Sequence, residues 1–194
     1  MHAQQRGHAP RPYPPGDLAI WVFILAELAA FFALFAAYAF TRLLHLELFN
    51  AMQKTLDTTA GMINTLLLIT GSWGVARAVA AIKANHVRAS ANWLLMAIAS
   101  GVGFLIVKYF EYGAKFAAGI TLETNLFYTF YISLTMFHAL HVVLGMVILL
   151  IVWNKTRRGG YSAHEHRGME TGASYWHMVD LVWIVLFPLV YVMR

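Results

Sequence analysis

Cysteine is absent from all 194 residues, which removes disulfides, thiolate metal sites, iron–sulfur ligation and cysteine nucleophiles together. Charge is nearly as scarce. Asp, Glu, Lys and Arg make up 12% of the chain, about half the ~25% of an ordinary soluble domain. Proline is rationed by position: Pro10, Pro12, Pro14 and Pro15 crowd the first sixteen residues and only Pro188 follows, so the long middle holds no helix breaker. The net charge of +5 comes with no basic block and no nucleic-acid reader motif, and a nucleic-acid partner is set aside.

What fills the chain is apolar: 60% of residues are hydrophobic. Five runs are long enough to cross a bilayer as helices of ~20 residues. They read Leu18 to Phe40, Ala60 to Ile82, Trp93 to Tyr112, Leu126 to Trp153 and Ala173 to Met193. The expected fold is an all-α polytopic membrane protein, a five-transmembrane-helix bundle over residues 17–194, preceded by an extended tail over residues 1–16. The run from Leu18 exceeds a signal-peptide core and lacks an A-x-A-like cleavage site, so it reads as a retained span. Between the first two spans, Leu43, Leu46, Phe49, Met52 and Leu56 fall three or four apart, a spacing that suits a short interfacial helix or a loop.

Basic residues set the expected orientation. With the N-terminus cytoplasmic, Arg6, Arg11, Arg77, Lys83, Arg88, Lys155, Arg157, Arg158 and Arg167 lie inside. Arg42, Lys54, Lys115 and Arg194 lie outside, an asymmetry that places the C-terminus in the periplasm. Trp21, Trp93, Trp153 and Trp176 fall near span ends as interfacial indoles, whereas Trp183 reads as packing. Ala29, Ala30, Ala33, Ala36 and Ala37 on span one, with Gly71 and Gly74 on span two, permit close helix approach.

Polar residues within the spans are the candidates for function, because an isolated charge at mid-bilayer costs about 2.5–3.5 kcal/mol on insertion scales. At a rise of ~1.5 Å per residue, Glu27 and His141 come to compatible depths, and a hydrogen bond between them is permitted. His138 and His141 are three apart and share a helix face. Asn64 and Thr65 lie at the depth of Lys108 and Glu111, and His177 and Asp180 repeat the i, i+3 spacing near the inner end of the fifth span. Each group has two readings. Glu27 is either a hydrogen-bonded packing acid or a proton-handling one, and the Lys108–Glu111 and His177–Asp180 pairs either specify helix contacts or carry chemistry. A metal on His138-x-x-His141 is disfavoured, since His164 and His166 lie in a loop and no histidine outside the fourth span is placed at mid-depth.

Taken in order, Trp21-Val-Phe-Ile-Leu-Ala-Glu27, Asn64-Thr65-Leu-Leu, Lys108-Tyr-Phe-Glu111-Tyr112, Phe137-His138-Ala-Leu-His141-Val-Val-Leu-Gly145 and Tyr175-Trp176-His177-Met-Val-Asp180-Leu-Val-Trp183 resemble the subunit III family of haem–copper oxidases. The resemblance covers Pro14 to Arg194 and follows the five-span bacterial form, which lacks the first two of seven mitochondrial spans. It implies a multi-pass protein of the bacterial inner membrane that binds no metal or haem itself, holds phospholipid, and docks beside a haem-containing catalytic subunit to support its proton uptake and turnover. Glu27 matches the family's buried carboxylate and His141 the histidine near it. Pro15-Gly16-Asp17-Leu-Ala-Ile-Trp21 and the ending Trp183-Ile-Val-Leu-Phe187-Pro188-Leu-Val-Tyr-Val-Met-Arg194 are most similar to the subunit III-like accessory protein of bacterial nitric oxide reductase. That branch is the leading expectation, a subunit III of a cytochrome c or quinol oxidase the alternative, and a stand-alone proton-conducting transporter the third.

Overall fold

The structure is a computed structural model that describes residues 17–193; the expected N-terminal tail and Arg194 lie outside the described residues. Six α-helices follow one another: α1 Leu18–Leu44, α2 Leu46–Gln53, α3 Thr58–Lys83, α4 Val87–Ala117, α5 Leu126–Arg157 and α6 Arg167–Phe187, the last continued by a π-helical turn at Pro188–Val192. Five of them are long and apolar enough to cross a membrane. The chain is an all-helical, multi-pass membrane protein, as its composition requires.

The helices outrun the expected spans. α4 begins at Val87 rather than Trp93, α5 reaches Arg157, and α6 starts at Arg167 rather than Ala173, because hydropathy marks only the lipid-facing core whereas backbone pairing continues into the interface. Local signals set several ends. Asp57 Oδ1 accepts from the amides of Thr59 and Ala60 at the start of α3, and Asn125 Oδ1 from that of Tyr128 at the start of α5, each satisfying amides that the first helical turn leaves free. Gly119 and Gly159, at φ 74° and 72°, turn the chain after α4 and α5 through the left-handed region that glycine enters without penalty.

α3, α4, α5 and α6 close a ring in which α3 and α5 each pack on both α4 and α6. Small buried residues, among them Gly71, Gly74, Ala78, Ala97, Ser100 and Gly101, let α3 and α4 lie closest. Lipid tails remove the hydrophobic drive between helices, so such close van der Waals contact holds them instead. α2 crosses one end of the ring, and α1 stands outside it against α6.

α1 corrects one expectation. Ala29, Ala30, Ala33, Ala36 and Ala37 are exposed, and the contact stripe is instead Ile24, Phe31 and Tyr38, seven residues apart and buried. Bulky rings bridge to a more distant neighbour: Phe31 packs on Phe137 with centroids 5.0 Å apart, and Tyr38 on Phe49 and Phe130. Trp176 is corrected too. With α6 starting at Arg167 it lies about 14 Å inside the helix, fully buried, not at an interface. Glycines of three helices make its slot: a Cβ on Gly71, Gly101 or Gly145 would stand 3.2, 2.9 or 3.0 Å from the indole.

Candidate functional site

Glu27 and His141 meet between α1 and α5. Glu27 Oε2 lies 2.9 Å from His141 Nε2, and His141 Nδ1 lies 2.8 Å from the carbonyl oxygen of Phe137. A carbonyl only accepts, so Nδ1 carries hydrogen. Nε2 then either accepts from a protonated Glu27 or, as imidazolium, donates to its carboxylate. One proton is held between the two in both cases. The rings of Phe31 and Phe137 stand edge-on to the imidazole, shielding the bond on one side, while the Glu27 side chain keeps 22% of its exposure.

Equal depth at this bond also reads the helix ends. Glu27 is nine residues from the start of α1 and His141 sixteen from the end of α5, so α5 extends about 10 Å beyond α1. Arg157 lies over the Trp153 ring on that extension, and Lys83 pairs with Glu170 at 2.7 Å beside it. This end of the bundle is the basic one.

His138 does not share the neighbour of His141. It is fully buried between Phe104, Phe31 and Trp183, and neither ring nitrogen has a hydrogen-bond partner. Asn64 is likewise enclosed with both amide atoms unpartnered. Thr65 separates from it in role, donating to the Gly61 carbonyl at 2.9 Å and accepting from the Trp183 indole at 2.9 Å.

Lys108 and Glu111 form a second polar centre near α2, with partners that the spacing of Asn64 and Thr65 did not indicate. Lys108 Nζ donates to Glu111 Oε2 and to Tyr191 Oη, both at 2.9 Å. Glu111 Oε1 in turn accepts from Tyr131 and Tyr191, each at 2.7 Å. The rings of Tyr112, Tyr131, Trp183 and Tyr191 surround the ammonium, their centroids 4.8 to 5.7 Å away. Tyr112 is fixed in its place by donating to Thr135 at 2.8 Å. Every charge-bearing atom is met, which a buried pair needs to offset its desolvation. Tyr131 and Tyr191 sit 20 and 80 residues from Glu111; no local spacing reveals them, and their only sequence signal is a phenol inside an apolar run.

His177 and Asp180 do not pair with each other. His177 Nδ1 is bonded to Ser72 Oγ across α3 and α6 at 2.5 Å, and the imidazole is exposed on the outer face of α6. The earlier start of α6 also moves His177 to mid-helix, correcting its expected place near a span end. It faces outward, away from His138 and His141, and among the described residues no three His, Asp or Glu side chains gather as a metal site would require.

Across Gly16 to Arg194 the chain matches the family model described as cytochrome c oxidase subunit III. The chain belongs to that family. Among its relatives, cytochrome c oxidase subunit 3 of Thermostichus vulcanus is 36% identical over 177 residues, covering 91% of this chain and 86% of that protein. Its counterpart in Synechocystis is 36% identical over 173 residues, covering 89% and 73%. Haem–copper oxidase subunit I+III of Aeropyrum pernix is 32% identical over 197 residues, covering 93% of this chain and 23% of that longer protein. Membership makes the chain an accessory subunit III of the haem–copper oxidase family, resident in the bacterial membrane.

Proposed function

We propose that this chain is the subunit III of a haem–copper terminal oxidase, a helical subunit that docks beside the catalytic subunit and sustains its turnover. The observation that supports it best is the match across the whole membrane domain to relatives named as oxidase subunits. The Aeropyrum pernix relative is named for subunits I and III joined in one protein, as expected of partners that work side by side. Haem and electron transfer belong to the catalytic partner in this reading, and phospholipid to the surfaces between them. Glu27 and His141 are the groups suited to proton work, because their bond holds one proton at the edge of the bundle where partner or lipid has access.

The nitric oxide reductase branch is the second reading, supported by the strings around Asp17 and after Trp183 quoted above. The proton transporter has less support. Between the Glu27–His141 bond and the Lys108–Glu111 centre stands His138, fully buried and walled by Phe31, Phe104 and Trp183.

The test compares the catalytic complex with and without this chain in oxygen consumption. A shortened active lifetime on its removal, reversed on adding it back, is the expected result. Unchanged lifetime and rate, or proton flux from the chain alone in liposomes, would overturn the proposal.

A further inference from the structure

On α1, Glu27 has a phenylalanine one turn to either side on its own face, Phe23 before it and Phe31 after it, since residues four apart are helix neighbours. Phe31 rests directly on α5, its ring centroid 5.0 Å from that of Phe137. Phe23 meets a ring from a third helix, Tyr175 of α6, with centroids 6.1 Å apart and planes at 28°. The two braces differ in kind. One joins α1 to α5, and the other joins α1 to α6, against which the rest of α1 stands.

Tyr175 is fully buried and reaches α5 with both ring and hydroxyl. The hydroxyl donates to the carbonyl oxygen of His141 at 3.4 Å. A Cβ on Gly145, one turn further along α5, would stand 3.4 Å from the ring. The phenol therefore links the Phe23 side of α1 to the backbone of the residue whose imidazole Glu27 meets at 2.9 Å. A hydrogen bond of that length weakens steeply as its ends part or turn, so the α1–α5 gap at this level must be held. Interiors are close-packed and pass a change in one side chain on to its neighbours.

Resting on the reading that gives Glu27 and His141 the proton work, we propose that Tyr175 is a positioning residue for that pair, its ring being the spacer that sets the distance between α1 and α5 at their bond. The ring carries this role rather than the hydroxyl. At 3.4 Å the hydroxyl contact is longer than the about 2.5–3.0 Å of a good O–H···O bond, whereas the stack on Phe23 is within the ordinary range for aromatic pairs. Tyr175→Phe keeps the spacer and Tyr175→Ala removes it.

The experiment reads the infrared absorption of the Glu27 carboxyl group, assigned by its loss in Glu27→Gln, in the tagged chain purified within its native complex. Tyr175→Ala moves that band to the position found in His141→Leu, which lacks the partner, and Tyr175→Phe returns it to the wild-type position. Phe23→Ala removes the other half of the stack at a residue exposed on its far side, where truncation disturbs little packing, and moves the band in the same direction. Phe32→Ala, exposed on the same helix but off the Glu27 face, leaves it in place. Under turnover, the active lifetime of the complex falls in Tyr175→Ala as far as in Glu27→Leu and recovers in Tyr175→Phe. An unmoved band in Tyr175→Ala, or in Phe23→Ala where the first variant does not fold, overturns the spacer, as does an equal shift in Tyr175→Phe or in Phe32→Ala. A band that moves as expected while every variant, Glu27→Leu included, keeps the wild-type lifetime leaves the spacer standing and overturns the proton work of the pair.

Discussion

His141 donates from Nδ1 to the Phe137 carbonyl and turns Nε2 toward Glu27 Oε2 at 2.9 Å, so α5's own backbone sets which imidazole atom α1 meets. Glu27→Gln keeps the contact, because the amide N–H donates to the Nε2 lone pair. Glu27→Leu leaves His141 without it and costs about 1–2 kcal/mol. Denaturant titration in detergent of both variants checks this; equal losses would show that charge, not hydrogen bonding, holds α1.

The Trp176 slot predicts a size threshold. Gly101→Ala and Gly145→Ala each lose about 1–3 kcal/mol, as a methyl is driven against a ring with no room to retreat. Trp176→Ala loses about 3–5 kcal/mol by leaving a cavity among three helices. Gly113→Ala, inside α4 with open space beyond it, is the control and loses nothing in the same titration, the helix preference for alanine adding up to about 1 kcal/mol.

In the cage around Lys108, the two single losses add up to more than the joint one. Lys108→Met strands Glu111 in the interior, and Glu111→Leu strands the ammonium, each costing about 3–5 kcal/mol. The double variant removes both charges and destabilises by less than the sum of the two. A double-mutant cycle measures the coupling, and strict additivity would mean that the two residues act independently.

Outside the membrane, burial raises the Tyr161 phenol above its ordinary range. The unfolded chain therefore ionises first, and stability present below about pH 10 falls as pH rises past it. Tyr161→Phe removes that component. Thermal transitions of the two proteins should diverge from lower pH to higher, the Phe variant declining less above about pH 10; parallel curves would contradict the enclosed phenol.

The five spans and the all-helical class were legible because a bilayer demands long apolar runs, and no other reading fits such a composition. Glu27 and His141 could be brought together by depth alone, since each is the polar group of its helix at that level. Depth does not give azimuth, however. His138 and His141 share a face in sequence yet meet different neighbours, and Asn64 lies at a plausible level for Lys108 without joining its hydrogen bonds. The partners of Lys108 and Glu111, Tyr131 and Tyr191, come from α5 and from the π-helical turn after α6, and only tertiary packing chooses them. Ser72 escaped notice because a lone serine in a membrane helix is common, and His177 was misplaced because α6 begins six residues before its apolar run.

The most direct test of the account is gentle isolation of the tagged chain from native membranes, with visible spectra, metal content and mass spectrometry of what accompanies it. A haem–copper oxidase catalytic subunit, with haem and copper rising in proportion to the tagged chain, is the predicted result. Haem b and c with a nitric oxide reductase pair and no copper, or a chain that comes away without haem, would contradict it.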